Sequence, residues 1–319
     1  MQTWRLIYTG VNNGYYNMAV DEAIAIAVRE GRVPSTLRFY TWDPPCISIG
    51  YFQKHDDNPA CHPELVSGSQ MNRSRNKFGM TDTKDKGMGF PGDILNRHIV
   101  RRITGGRAVF HGGDLSYSVV SGTDNMLFPK NINGTYATIA NALIAGLRHF
   151  GIHPDPVEGK KVKKDSPTNY HKTVLCFNSA IRHEITVNGK KLIGSAQRRW
   201  PDVFLQHGSI LVNRATSENG PTSVSLEELA ALSSDDLMNR GLTNDHGNPV
   251  CHPEFISGSQ TMQGQEILKQ FQNDRVDGLV ASLSNGFSET LGIQFTTEDL
   301  SNYESELAEK LIADKYSKS

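Results

Sequence analysis

The stretch HEITVNGKKLIGSAQ, His183–Gln197, contains two strand-like runs, His183–Val187 and Lys191–Ala196, on either side of Asn188-Gly189. Asn-Gly is the dipeptide that most readily adopts positive φ at both central positions of a two-residue turn. The twist of that turn matches the twist of the strands it joins. The stretch therefore predicts a β-hairpin, and with it adjacent antiparallel strands. Alternation along a strand sends Lys190 and Lys191 to opposite faces, so only one of them points inward. Gly194 leaves room for a ligand or another strand to come close.

Outward from the hairpin, the chain reads as a strand-rich core. The N-terminus, Met1–Tyr8, reads directly as a strand. Leu37–Trp42 and Cys46–Phe52 are β-rich and meet at Asp43-Pro44-Pro45; Ile99–Ile103, Ala108–Phe110, Leu115–Val120 and Phe204–Val212 follow. Met18–Glu30 is predicted helical, with Asn17 as its cap, Asp21 and Glu22 in its early turns and Gly31 as its stop. Thr135–Phe150 places Ile139, Leu143, Ile144 and Leu147 on one helical face before Gly151. Ser225 and Glu228 form a capping box. Gln265–Leu291 and Thr297–Tyr316 carry helical patterns. The division is a core over residues 1–220 and a mostly helical C-terminal region over 221–319.

Asn58–Gln70 (NPACHPELVSGSQ) recurs as Asn248–Gln260 (NPVCHPEFISGSQ), each difference exchanging one apolar residue for another. Two Cys-His pairs suggest zinc ligands, but the spacing is not that of a zinc module, and both copies lie in loop-forming sequence. The peptides resemble the translation of a repeated genomic element inserted in frame. Residues of about 56–94 and 246–262 are accordingly read as excursions from the fold, which surface loops tolerate because closure entropy grows slowly with length. With 33 basic and 34 acidic residues the chain has a net charge of −1, so no global field favours nucleic acid or a membrane. No apolar run approaches spanning length and no secretory signal is evident. The four cysteines, Cys46, Cys61, Cys176 and Cys251, are then expected to be reduced, in the cytoplasm.

Two segments carry chemistry. Cys176, among Val174, Leu175 and Phe177, is either an inert buried residue or a nucleophile. The second reading gains from Lys191 on the nearby hairpin, since an ammonium beside a thiol raises the thiolate fraction. Arg101–His111 (RRITGGRAVFH) is a basic turn between apolar runs. Its Gly pair lets backbone N–H groups face a bound group, and its arginines suit a phosphate or carboxylate; a plain hairpin turn fits the pattern as well. It is not a phosphate-binding loop of the nucleotidase kind, because no Gly-Lys-Ser/Thr follows. His111 is either a base or a donor to backbone. Asp155–Lys164 reads as a solvated loop, with docking of an acidic carrier protein as its alternative.

Five motifs in order complete a pattern: Asn17–Ala23, Trp42 through Gln53, Arg101–His111, Gly189–Gln197 and Gln206–Leu211. Together they resemble the biotin/lipoate protein ligase catalytic-domain family, over nearly the whole chain outside the two insertions. Within it the chain is closest to the cysteine-dependent octanoyltransferases of the Gram-positive type: Arg107 stands where the ligases commonly carry a third glycine, and Cys176-Phe177 stands at the nucleophile's place. The resemblance implies an α+β fold of mixed and antiparallel sheets flanked by helices. It implies Cys176 and Lys191 as catalytic residues, and Arg102, Gly105, Gly106, Arg107, His111, Gly194, Ser195 and Ala196 as substrate-binding residues. It implies no metal and no cofactor. The donor would be octanoyl-acyl carrier protein; the acceptor would be a lysine of lipoyl domains of 2-oxoacid dehydrogenases or of the glycine cleavage H protein. Three alternatives stay open: an ATP-dependent lipoate-protein ligase, an amidotransferase between lipoyl-bearing proteins, and an inactive carrier-binding module. The segment between Gln53 and Arg97 departs from the family pattern.

Overall fold

The computed structural model describes residues 1–53, 98–155, 184–213, 223–229 and 262–318. Both repeated peptides, the basic run Lys160–Lys164, and Cys61, Cys176 and Cys251 lie outside the described residues. The described elements are β1 (Gln2–Asn12), α1 (Gly14–Arg29), β2 (Thr36–Trp42), β3 (Cys46–Ile49), β4 (His98–Arg101), β5 (Val109–His111) and β6 (Asp114–Gly122). After them come α2 (Ile132–His149), β7 (Ile185–Val187), β8 (Lys190–Arg199), β9 (Val203–Leu211), α3 (Met262–Leu291), β10 (Ile293–Thr297) and α4 (Asn302–Asp314). This is the mixed α+β architecture expected. Among the described residues, no helix is long and apolar enough to cross a membrane.

β7 and β8 form the anticipated hairpin, with Asn188 at φ 52° and Gly189 at φ 74°. Asp155 fastens the turn: its carboxylate accepts from the backbone N–H of Asn188 at 3.0 Å and of Gly189 at 2.8 Å, and from Thr186 Oγ1 at 2.6 Å. The hairpin ends a seven-stranded sheet of order β10-β1-β2-β6-β9-β8-β7. β1 runs parallel to both β2 and β10; the other pairings in this sheet are antiparallel. A second sheet has the order β4-β3-β5.

Strand alternation sorts the core into two layers. Leu37 and Phe39 of β2, with Leu115, Tyr117 and Val119 of β6, face α2 and α3, where Leu143, Leu147, Leu283 and Phe287 meet them. Tyr40 and Trp42, with Val120, Val203 and Leu205, face Met18, Val20 and Ile24 of α1. Two local expectations need revising. α1 begins a turn earlier than predicted: its cap is Asn13, whose side chain accepts from the Tyr16 N–H. Asn17 is instead fully buried, and its amide donates to the carbonyl oxygens of Asn12 and Thr41. At the C-terminal end the expected helices are present, accompanied by a strand that was not foreseen. β10 pairs with β1 from Gln2–Ile293 to Leu6–Thr297, and α4 begins only at Asn302, behind a Ser301–Glu304 capping box.

Candidate active site

A cavity of about 280 Å³ opens among elements of both sheets. β6, β8 and β9 contribute Ser116, Gly194–Ala196 and His207–Ser209; the small sheet and its turn contribute Ser48, Arg102, Gly106 and His111; Glu184 closes one side. Its volume is near the low end of the roughly 300–1,000 Å³ typical of small-molecule sites. Among the residues expected to bind substrate, Arg102, Gly106, Arg107, His111, Gly194, Ser195 and Ala196 line it. Gly105 lies just behind, its carbonyl oxygen accepting from Arg102 Nε and Nη2.

Arg102 braces the loop. A guanidinium has five N–H donors. Those of Arg102 reach the Ser48 carbonyl at 2.9 Å, Ser48 Oγ at 3.0 Å, the Gly105 carbonyl at 3.0 and 3.3 Å and the Arg107 carbonyl at 2.6 Å. The whole Gly105–Arg107 turn is thereby held against β3. The fit leaves no slack, since a Cβ at Gly50 would lie 2.0 Å from the Gly106 carbonyl oxygen, and Gly106 itself has φ +98°. Arg101 similarly donates to the carbonyls of Gly50 and Gln53.

Lys190 is exposed and Lys191 buried, as alternation requires. The Lys191 ammonium forms an ion pair with Glu184, whose side chain reaches the cavity wall, while the backbone of Lys191 is bridged to Ser223 and its carbonyl accepts from the Val224 N–H. The buried cation expected at this position therefore carries its counter-charge with it. Cys176, expected beside it, lies outside the described residues. Cys46, the buried cysteine that is described, sits under α1 near Asp114, and burial pushes its thiol far up, leaving it inert at neutral pH.

Two polar networks that sequence reasoning missed support the cavity. In the first, His111 stacks on Trp42 with centroids 3.8 Å apart. Its Nδ1 lies 2.9 Å from Asp114 Oδ2, and its Nε2 lies 2.8 Å from Ser48 Oγ. Asp114 also accepts from Ser209 Oγ at 2.6 Å, Ser116 Oγ at 3.1 Å and the Gly112 N–H at 3.1 Å. Burial would raise its carboxyl, but His111, Ser209 and the Gly112 N–H outweigh burial and hold it below the ordinary value. In the second, His207 Nδ1 lies 2.9 Å from Asp21 Oδ2 and its Nε2 lies 2.6 Å from Thr104 Oγ1, pinning the glycine turn to the large sheet. Asp21 is neutralised by Arg38 at 2.7 Å and accepts from Tyr40 OH at 2.9 Å. Burial lowers the His207 pKa, and with the Asp21 carboxylate facing Nδ1 as an acceptor, Nε2 of the neutral ring is left to accept from Thr104 Oγ1. The partners of each network come from separate elements, Ser48 meeting His111 through the pairing of β3 with β5, and His207 of β9 reaching Asp21 of α1; the charged residues Arg38 and Asp21 at core-facing strand and helix positions were the available signal.

Residues 13–220 match the lipoyl protein ligase A/B catalytic domain. The octanoyltransferase LipM of Clostridioides difficile is 33% identical over 99% of this chain and 97% of its own length. That of Moorella thermoacetica is 41% identical over 66% of each. A solved structure of lipoate-protein ligase A bound with ATP superposes with a TM-score of 0.59 at 24% identity, covering 99% of this chain and 96% of that one, which is a likeness of fold. With its five motifs, its two sheets and the cavity among them, the chain belongs to the lipoyl protein ligase A/B catalytic-domain family.

Proposed function

We propose that the protein is an octanoyltransferase of protein lipoylation, moving octanoyl from its acyl carrier protein through Cys176 to a lysine of a lipoyl domain. The observation that carries this reading is the buried Lys191–Glu184 pair, of which Glu184 lines the cavity, in a chain with a relative over nearly its full length that is named an octanoyltransferase. A buried ion pair costs desolvation and adds little stability over apolar packing, so its place beside a cavity suits chemistry.

In the first step the Cys176 thiolate attacks the octanoyl thioester. The bond from the acyl carbon to the carrier's sulfur breaks, a bond to Cys176 Sγ forms, and the carrier leaves as its thiolate, which takes up the proton that Cys176 gave up on ionising. In the second step the lysine amine attacks the acyl-cysteine, giving an amide and returning the Cys176 thiol. Thioester exchange is nearly isoenergetic and amide formation is downhill, so the sequence needs no ATP. Lys191 favours the thiolate and polarises the carbonyl, an electrostatic contribution on the order of 10²-fold or more in rate. The cavity holds the acyl chain.

Intact-protein mass spectrometry after mixing with octanoyl-acyl carrier protein, without ATP, tests this. Wild type should gain one octanoyl group and Cys176→Ala none. An adduct on both would remove Cys176 as the nucleophile. No adduct on folded wild type would remove the carrier as donor, leaving a lipoyl-bearing donor, an ATP-dependent route or a carrier-binding module without turnover.

A further inference from the structure

Four arginines of the described chain are matched to carboxylates: Arg5 to Glu304, Arg29 to Asp202, Arg32 to Glu30 and Arg38 to Asp21. Arg101 and Arg198, both half-buried, are held differently. Arg101 Nη1 donates to the carbonyl oxygens of Gly50, Tyr51 and Gln53, at 3.1, 3.3 and 2.6 Å. Arg198 Nη1 donates to the Ile103 carbonyl at 3.1 Å, and its guanidinium lies 4.8 Å from the ring centroid of Tyr51 and 5.1 Å from that of Trp200. Carbonyls and ring faces fix a guanidinium without neutralising it. Among the described residues neither positive charge is therefore cancelled.

The two arginines meet at Tyr51, the first through its carbonyl and the second over its ring. Tyr51 and Phe52 form an aromatic pair, 45% and 85% exposed, with ring centroids 5.0 Å apart edge to face. The patch adjoins the cavity without covering it. The Tyr51 N–H donates to the Thr104 carbonyl, and Gly50 packs against Gly106, which is exposed and lines the cavity. A Cβ at Gly106 would lie 3.8 Å from that of Ala196, and alternation along β8 puts Arg198 on the same face as Ala196.

Aromatic side chains and arginine are enriched in protein interfaces. With a net charge of −1 over the whole chain, the cationic character of this patch is local. An exposed aromatic pair braced by two uncancelled cations fits an acidic protein surface that also presents an apolar side chain. The transfer reaction must bring two proteins to the cavity, and reach distinguishes them. A lysine holds its amine on a four-carbon stem, so a lipoyl domain has to sit over the mouth. An acyl carrier holds its thioester at the end of a longer, phosphate-linked arm and can dock to one side.

We propose that Tyr51, Phe52, Arg101 and Arg198 form the docking patch for an acidic acyl carrier, an inference that rests on the acyl-transfer reading. The carrier's carboxylates face the two guanidiniums, an apolar side chain packs on Phe52, and the arm passes over Gly106 into the cavity. The patch makes and breaks no bond. Its contribution is to encounter, since opposite charges raise the association rate and are screened by salt.

The test compares two donors. Wild type, Arg198→Glu and Phe52→Ser are acylated from octanoyl-acyl carrier protein over a range of concentrations and, separately, from octanoyl-pantetheine, a thioester that carries no protein. Adduct formation is timed by intact-protein mass spectrometry. At low carrier concentration Arg198→Glu should acylate roughly tenfold or more slowly, because reversing a rim charge acts on association. The limiting rate at high carrier, and the rate with octanoyl-pantetheine, should stay close to wild type. Added salt should slow wild type far more than Arg198→Glu. Phe52→Ser alters a largely exposed side chain, so it separates docking from folding, and it should show the same split between donors. Unchanged acylation by the carrier in either folded variant, or equal slowing with both donors, overturns the patch and leaves acyl transfer standing. Normal loading followed by slowed transfer to a lipoyl domain also overturns it, giving the surface to the acceptor. A wild type acylated by octanoyl-pantetheine but not by the carrier removes the carrier as partner. A wild type acylated by neither removes the transfer reading and the patch with it.

Discussion

Lys191 and Glu184 are both nearly inaccessible, and each supplies the other with a counter-charge. Removing one member of a buried pair strands the other charge, at a cost of about 3–5 kcal/mol. Lys191→Ala should therefore unfold at markedly lower urea than wild type, beyond what a lost surface lysine would cause. Adding Glu184→Gln should restore much of that stability, because an amide is cheaper to bury than an unpaired carboxylate. If Lys191 acts on the acyl step, the double variant should recover folding without recovering octanoyl transfer. A double variant as unstable as the single one would refute the pairing argument, and one that also regained transfer would refute the catalytic role. Strand parity showed that one of Lys190 and Lys191 turns inward, and the family resemblance, not parity, named Lys191 and the cavity positions Gly194, Ser195 and Ala196. Glu184 was not legible, because a bulge between Ile185 and Thr186 shifts the register of β7 against β8 and aims its side chain independently of simple alternation. Ser48 and Asp114 were equally hidden: a serine in a strand and an aspartate after a Gly pair look like ordinary edge and turn residues until β3, β5 and β6 converge.

Helix α2 lies on α3 through a glycine contact. A Cβ on Gly286 would fall 2.2 Å from the Gly146 nitrogen and 2.5 Å from the Ala142 carbonyl oxygen, and one on Gly146 would fall 2.5 Å from Leu283 Cα. These are backbone atoms that cannot step aside, so the helices would have to part. Gly286→Ala is expected to destabilise by about 1–3 kcal/mol or more, the scale of overpacking. Gly278, on the same helix, gives the opposite expectation: its Cβ would meet only Phe150 Cε2 at an ordinary 3.6 Å. Gly278→Ala should stabilise by up to about 1 kcal/mol through helix propensity. Thermal unfolding of the two variants separates them; equal shifts would mean that the close approach is not what Gly286 is for. Sequence periodicity located both helices, and α2 to within three residues at its start. It could not show which face of α3 meets which face of α2, because that depends on a crossing set by tertiary packing. β10 was missed for a related reason: a five-residue edge strand with one buried side chain has too short an alternation to stand out, and its partner is β1, at the other end of the chain.

That closure of the chain on itself is fixed by charge. Arg5 of β1 and Glu304 of α4 are both buried, with Arg5 Nη1 at 2.7 Å from Glu304 Oε2 and Nη2 on the other oxygen. The same carboxylate accepts from Ser301 in the capping box, so one group seats α4 on β1 and starts the helix. Burial would raise the Glu304 carboxyl, but Arg5 and the backbone and hydroxyl of Ser301 outweigh it and hold it below its ordinary value. Asp21 and Asp114 are likewise held low, the first against its own burial by Arg38 and His207. For all three, the unfolded chain binds its proton at higher pH than the folded one. Their contribution is therefore complete above the ordinary carboxyl range, near pH 4, and is lost as pH falls through the lowered folded values. The protein should lose stability steeply below about pH 4. Glu304→Gln should be less stable than wild type at pH 7, by an amount on the scale of a broken buried pair, about 3–5 kcal/mol. The gap should narrow as acid removes from wild type what the substitution removed already. Urea midpoints of the two proteins from pH 7 down to pH 3 make the comparison. Curves that stay parallel would mean that Glu304 is not the carboxylate that acid attacks, and would move the acid-sensitive joint to Asp21 and Asp114, behind the cavity-lining His207 and His111.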